Sequence, residues 1–164
     1  MRLKTGFGLC FGFAFLFMLA GSPQEKFNRV GFYQAMDTGR LPEIDRQLEI
    51  IRTEAFTGNE AFEAALLMKK AGMVAAPANK LNLFKTGHRK LEALIKKDSS
   101  DTELRFLRLM IQEHAPGLLG YHADLGKDKA FICAHFKKLL PEVQEAVSRY
   151  SRKSKILNPS DLTL

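Results

Sequence analysis

Residues 100–112 read SDTELRFLRLMIQ, and this stretch decides the fold. After Glu103 nearly every position is apolar, apart from one narrow polar stripe. That stripe consists of Arg105, Arg108 and Gln112. A helix that is apolar over most of its circumference is typical of an element packed on several sides. Ser100 and Glu103 also have the spacing of a capping box, which would start such a helix. We therefore expect a helix here and expect it to be the most buried element.

The same helical period extends outward along most of the chain. Apolar residues repeat every three or four positions over 42–56, 61–73, 77–97, 127–140 and 141–150, with a shorter pattern over 27–36. No segment alternates apolar and polar residues between turn dipeptides, so strand content should be near zero. Short connections imply antiparallel neighbours. The sequence thus predicts an all-α domain over 23–152, with about six helices in stacked antiparallel hairpins.

Two consecutive segments indicate where helices approach each other closely. One face of the 61–73 segment carries mostly small side chains: Ala61, Ala64, Ala65, Met68 and Ala71. Residues 57–60, TGNE, have the form of a second capping box ahead of it. In the next segment Gly87 interrupts the helical pattern, at a cost of about 1 kcal/mol relative to alanine. Either a partner backbone crosses at Gly87 or the helix breaks there.

The first 22 residues have the order of an export signal. Arg2 and Lys4 precede an uninterrupted apolar run over 6–20, which ends in the small residues Ala20, Gly21 and Ser22. The run is shorter than the roughly 20 apolar residues that cross a bilayer as a helix, so we expect cleavage. Pro23 directly after the small residues is awkward for a peptidase. A retained N-terminal anchor is therefore the alternative.

Cysteine and charge content narrow the class of protein. Without residues 1–22, Cys133 is the only cysteine, which excludes an internal disulfide. Export without disulfides favours the bacterial periplasm or cell envelope. The formal charge of +7 becomes +5 once the two positive charges of the signal are removed. No aromatic residue interleaves with the basic ones after Tyr150, so a nucleic-acid interface is not expected. Residues 153–164 are predicted to form a flexible basic tail.

Two segments resemble tetratricopeptide-type units. Residues 33–41, YQAMDTGRL, are similar to the end of a first repeat helix and its turn. Residues 91–98, LEALIKKD, are similar to a second repeat helix running into the next unit. The resemblance implies TPR-like stacking, whose concave face binds a protein or peptide. Residues 105–112 with 115–121 also resemble a segment of small exported bacterial proteins of no assigned function.

The densest group of reactive side chains flanks a glycine-bounded loop over 117–126. Its members are Glu113, His114, Tyr121, His122 and Asp124. Loops held between rigid helices often carry binding sites, so the last four of these residues form the candidate functional loop. Leu118 and Leu119 in the same loop are expected to fold back onto the helices.

No motif predicts a metal, a cofactor or a catalytic centre. The histidines lack the spacing of zinc ligands; they are His88, His114, His122 and His135. Asp124, Gly126 and Asp128 begin like a calcium loop, but His135 stands where a bidentate glutamate is needed. Cys133 and His135 are two residues apart, so on a helix they point in different directions.

These features favour a non-enzymatic, exported helical protein that binds a protein or peptide partner in a groove between its helices. Two alternatives stay open. One is a small enzyme or metal-binding protein that uses the His114/His122 loop. The other is a membrane-associated protein retained by its N-terminal segment.

Overall fold

The computed structural model describes residues 26–54 and 56–163. Within these residues the chain forms seven α-helices and no strand, which confirms the all-α prediction. The helices are α1 (Arg29–Thr38), α2 (Leu41–Thr53), α3 (Asn59–Ala71), α4 (Pro77–Lys97), α5 (Thr102–Gln112), α6 (Leu125–His135) and α7 (Pro141–Ser151). Three 3₁₀ turns accompany them: Gly117–Leu119, Phe136–Lys138 and Pro159–Leu162. The predicted export signal over 1–22 lies outside the described residues.

Local chemistry explains where several helices begin and end. Proline occupies the first turn of α2, α4 and α7, where its missing N–H leaves no hydrogen bond unmade. Helix α1 ends at Gly39, whose φ of 60° is left-handed and whose N–H donates to the carbonyl oxygen of Ala35. The short predicted helix over 27–36 is therefore present, and it extends to Thr38.

Both predicted capping boxes are wrong in detail. Helix α3 is preceded by Gly58 in a left-handed conformation, with no side-chain cap, so Thr57 does not cap it. Helix α5 is capped by Asp101 instead of Ser100, because the Asp101 carboxylate accepts the N–H groups of Glu103 and Leu104. The Glu103 side chain is directed to another helix, where it binds Arg29.

Helices α3 and α5 supply much of the core. Consecutive helices from α1 to α6 contact one another, and α3 also packs on α5 and α1. Six apolar residues of α5 are buried, as predicted: Leu104, Phe106, Leu107, Leu109, Met110 and Ile111. The polar stripe of α5 is not a solvent-facing edge, since Arg108 and Gln112 are buried as well. The first and last helices, α1 and α7, are also in contact.

The crossing of α3 and α4 answers the question raised by Gly87. Helix α4 continues unbroken through this residue, and its most extensive contact is with α3. A Cβ atom at Gly87 would lie 2.5 Å from the carbonyl oxygen of Ala64 and 2.7 Å from Cγ of Met68. A partner backbone therefore crosses here, at the small-residue face of α3, and only glycine leaves room for it.

The prediction of a flexible tail is wrong over 153–163. Leu157 is fully buried, and Leu162 is buried within the last 3₁₀ turn. Two side chains on the body of the molecule hold this segment: Glu113 accepts the N–H of Lys155, and Lys129 pairs with Asp161. Buried leucines spaced too irregularly to form a helix gave no periodic signal in the sequence.

Candidate functional site

The candidate loop is closed on itself between α5 and α6. Its 3₁₀ turn, Gly117–Leu119, follows Pro116 and ends at Gly120, whose φ of 62° suits glycine. At the neck of the loop, Nε2 of His122 donates to the carbonyl oxygen of Ala115 at 2.9 Å. This hydrogen bond ties the two ends of the loop together. His122 therefore holds the loop in shape instead of facing a ligand.

Tyr121 fastens the loop to α4. Its side chain is buried, and its hydroxyl donates to Oε1 of Glu92 at 2.6 Å. The ring meets His88 edge-on, with centroids 4.5 Å apart, and Phe84 at 5.7 Å. Burial, together with the anionic Glu92 carboxylate, raises the pKa of Tyr121 above its ordinary value. The hydroxyl is thus a fixed donor at neutral pH.

Asp124 belongs to a buried charge network that joins α4, α5 and α6. At its centre Arg108 donates to both oxygens of Asp128, through Nε at 2.6 Å and Nη2 at 2.8 Å. Nη1 of Arg108 also lies 3.0 Å from Glu92 and 3.5 Å from Asp124. Burial opposes the charge on Arg108, but the hydrogen bonds and carboxylates outweigh it and raise the guanidinium pKa. Asp124 therefore completes a structural network.

A second arginine extends this network to the surface. Arg105 reaches Asp128 through Nη1 at 2.9 Å, and two of its nitrogens donate to the carbonyl oxygen of Ser99. Its guanidinium also lies over the ring of Phe131, 4.3 Å from the centroid. The polar stripe predicted on α5 is thus the surface that holds α6.

His114 does not join the other candidate residues. It lies near Tyr150, with ring centroids 6.3 Å apart, at the edge of a separate cavity. Burial lowers the pKa of His114, and the nearby ammonium groups of Lys69 and Lys153 lower it further, against the opposing charge of Glu113. The structure therefore divides the four candidate residues between two places. Tyr121 and Asp124 join the charge network, and His122 braces the loop.

The loop presents Leu118 to solvent. Its side chain is 99 % exposed, and that of Leu119 is 38 % exposed. The expectation that both leucines fold back onto the helices is wrong, because the anchoring is done by Tyr121, two residues further on. On α4, Leu81 is 45 % exposed, one helical turn before the Phe84 that contacts Tyr121. Tyr121 joins the loop to the first half of α4, and we call the exposed leucines of these two segments, Leu118, Leu119 and Leu81, the Leu118 surface.

Positive charge predominates on α4, the helix that carries Leu81. Helix α4 carries six basic residues, namely Lys80, Lys85, Arg89, Lys90, Lys96 and Lys97. Its only acidic residue is Glu92, whose carboxylate is committed to Tyr121 and Arg108. Lys80 and Lys85 are exposed in the same half of the helix as Leu81. A ligand for this surface would meet an apolar tip with a cationic border.

Sequence reasoning missed the residues that make the loop rigid. Glu92 lies in the segment that resembles a repeat helix and carries no prediction of its own, and Asp128 enters only the calcium-loop pattern that fails at His135. The one available signal was Arg108, a charged residue on a helix otherwise expected to be buried, which requires an anionic partner. The partner itself is 20 residues away in sequence and could not be identified from spacing.

Metal and thiol chemistry have no assembled site in the part of the chain that the structure describes. No three histidine, cysteine, aspartate or glutamate side chains there are grouped to hold a metal ion. Cys133 is half-buried against the core, and His135 donates instead to the carbonyl oxygen of Phe131 at 2.9 Å. Among the described helices, none is both long and apolar enough to span a bilayer.

Comparison with known proteins does not identify the chain. No family model, curated protein or solved structure matches the chain. The resemblance to tetratricopeptide-type units stays a prediction.

Proposed function

We propose that this chain is a non-enzymatic binding protein that docks onto a protein partner through the Leu118 surface. The observation that carries the proposal is the complete exposure of Leu118 on a braced loop. A large apolar side chain held in water gains about 1.5–3 kcal/mol when it is buried in a pocket. The His122 and Tyr121 hydrogen bonds fix the loop beforehand, so little ordering cost opposes binding.

The border of the surface indicates the character of the partner. Lys80 and Lys85 flank Leu81 on α4, and both are exposed. Charges of one sign around an apolar anchor steer a partner of the opposite sign and reject one of the same sign. The partner should therefore offer an apolar pocket with an acidic rim.

A protein partner fits this surface better than a lipid surface. Peripheral membrane elements usually insert aromatic residues together with leucines at the lipid interface. Here Phe84 is half-buried and Tyr121 is buried, both turned toward the protein. What remains is one projecting leucine with two partly exposed neighbours, which suits a pocket more than a lipid plane.

The sequence supports a cellular location for this partner. Residues 1–22 have the order of an export signal, so the proposed partner belongs to the periplasm or the cell envelope.

Capture with matched variants tests the proposal. The immobilised chain would be incubated with an envelope extract of the source organism, alongside Leu118→Ser and Leu140→Ser. Leu140 is 49 % exposed and precedes α7, outside the loop segment 117–126, so it controls for the loss of any surface leucine. A captured protein would be purified and its Kd measured. We expect Leu118→Ser to weaken binding about ten- to a hundredfold and Leu140→Ser to leave it unchanged.

Three results would contradict the proposal. One is a Kd that Leu118→Ser does not change, and another is equal loss in both variants. The third is Leu118-dependent binding to vesicles containing phosphatidylglycerol in place of any protein, which would favour the membrane-associated alternative. Circular dichroism of each variant would establish that its helices are intact.

A further inference from the structure

A small cavity lies where four helices end, apart from the Leu118 surface. Its volume is about 130 Å³, well below the roughly 300 Å³ at which pockets for larger organic ligands begin. Two methionines form part of its wall, and the polar lining consists of Asp37, Lys69, His114, Tyr150, Lys153 and Ser154. It has room for a single small ion with a few waters.

The anionic groups near this cavity are already committed. Asp37 pairs with Nε of Arg149 at 3.3 Å and with the ammonium of Lys153. Glu113, just behind the wall, accepts hydrogen bonds from Tyr150, Ser154 and the N–H of Lys155, each at 2.6 Å. The hydroxyls of Tyr150 and Ser154 therefore already donate their hydrogen bonds to Glu113. None of these groups is available to neutralise a further cation.

Lys69 is a cation of the cavity lining that is not paired with any of these anionic groups. Its ammonium makes no hydrogen bond or ion pair with any described residue, although its side chain is half-buried. Burial lowers the pKa of Lys69, and the nearby Lys153 lowers it further, with only Asp37 opposing them. The same two ammonium groups act on the His114 imidazole. The lining of the cavity thus holds two ammonium groups, Lys69 and Lys153, against one carboxylate, Asp37.

The ends of the four helices supply only a partial negative charge. Helix C-terminal carbonyls carry a partial negative charge that attracts lysines, which explains why basic residues gather here. Those carbonyls already accept backbone N–H groups: Ala35 from Gly39, Lys69 from Gly72, and Tyr150 from Ser154. The dipole effect is confined to the last turn, so it acts on Lys69 in α3 more than on Lys153, which lies beyond the end of α7. An additional anion would therefore complete the charge balance.

We propose that this cavity binds a small tetrahedral oxyanion of the phosphate or sulfate class. Lys69 would pair with its charge, Lys153 would share its ammonium between the anion and Asp37, and the His114 imidazole would donate a further N–H. Two ammonium groups and a ring donor match a dianion with four oxygens better than a carboxylate, which one lysine would satisfy. This site is separate from the Leu118 surface and does not depend on the proposed function.

Calorimetric titration tests the site. Inorganic phosphate would be titrated into the full chain at constant ionic strength, and into Lys69→Met and Lys138→Met. Both variants lose one positive charge, but Lys138 is exposed and lies outside the cavity. We expect one saturable site, weakened at least about tenfold by Lys69→Met and unchanged by Lys138→Met. If Lys69→Met does not fold, Lys153→Met takes its place, since that side chain is half exposed.

Titrations with other anions, together with NMR, would identify the class of anion. Acetate should bind more weakly than phosphate, and phosphate should shift the NMR signals of the His114 ring. Tighter binding of phenyl phosphate would indicate a group carried on a larger molecule, and weaker binding would indicate the free ion; either supports the oxyanion site. Absence of saturable binding, or equal losses in Lys69→Met and Lys138→Met, would overturn the proposal.

Discussion

At the scale of single residues, Asp128 is the side chain on which the charge network depends. It is fully buried and binds both Arg108 and Arg105. Asp128→Asn keeps the shape but removes the charge, which leaves the buried guanidinium of Arg108 with Glu92 as its main partner. Breaking a buried ion pair from one side costs about 3–5 kcal/mol. We expect a loss of about 3 kcal/mol in the free energy of unfolding, measured with urea.

Asp124→Asn is the matched control for this prediction. Asp124 belongs to the same network, but it is one-third exposed and 3.5 Å from Arg108. Its substitution should cost about 1 kcal/mol or less. Equal losses in the two variants would show that burial of Asp128 does not increase its contribution to the free energy of unfolding. The proposed role of the network would then be wrong.

At the scale of elements, the contact between α3 and α4 depends on Gly87. Gly87→Ala improves helix propensity by about 1 kcal/mol, but the new methyl would overlap the Ala64 carbonyl and Met68. Overpacking of this kind costs about 1–3 kcal/mol. Here the nearest clashing atom is the backbone oxygen of Ala64, which cannot move away by a change of rotamer. We expect a net loss of stability in urea unfolding, in spite of the better helix former.

Gly126→Ala supplies the control within the same fold. Gly126 is also helical, in α6, and no atom lies within 4 Å of where its Cβ would be. This substitution should leave stability unchanged or raise it by up to about 1 kcal/mol. A Gly87→Ala variant as stable as Gly126→Ala would mean that α3 and α4 are free to separate at their crossing.

The sequence predicted the helices better than their boundaries. Apolar periodicity located each helix because packing on a common core imposes that period on every element. The capping boxes failed because several residues near a helix start can cap it. Asp101, next to Ser100, does so in α5, and Glu103 is drawn away to Arg29. Competition between nearby partners is settled by tertiary contacts, which local spacing does not contain.

The candidate site was less predictable than the fold for the same reason. Loop closure by His122 and Ala115 is local and falls within the predicted loop. The cavity around Lys69 draws its residues from four helices, with Asp37 and Lys153 more than a hundred positions apart. The prediction that Leu118 folds back onto the helices was wrong. Two adjacent leucines in a loop do not reveal which neighbouring residue anchors that loop.

At the scale of the whole molecule, the three tyrosines of the chain follow one pattern. Each is buried, and each donates its hydroxyl to a glutamate from another element. Tyr33 joins α1 to Glu103 of α5 at 2.9 Å, Tyr121 joins the loop to Glu92 of α4, and Tyr150 joins α7 to Glu113 at the end of α5. Burial and the adjacent carboxylates raise the pKa of all three above 10.

This pattern predicts steep unfolding in alkali. Below about pH 9 all three tyrosines are neutral in both states and contribute no pH dependence. Above about pH 10 the unfolded chain releases three protons that the folded chain retains, so stability falls as pH rises, by about 4 kcal/mol per pH unit. Urea unfolding between pH 9 and 11 would measure the slope, and tyrosinate absorbance should appear only with unfolding.

Tyr150→Phe isolates one member of the set. Glu113 keeps Ser154 and the N–H of Lys155 as donors, so the variant should still fold. Its alkaline slope should fall by about a third, because one of three linked protons is removed. An unchanged slope would mean that Tyr150 ionises in the folded chain as it does in water. The contact of α7 with Glu113 would then add nothing to alkaline sensitivity, and the loss of stability above pH 10 would have to come from the α1 and loop tyrosines alone.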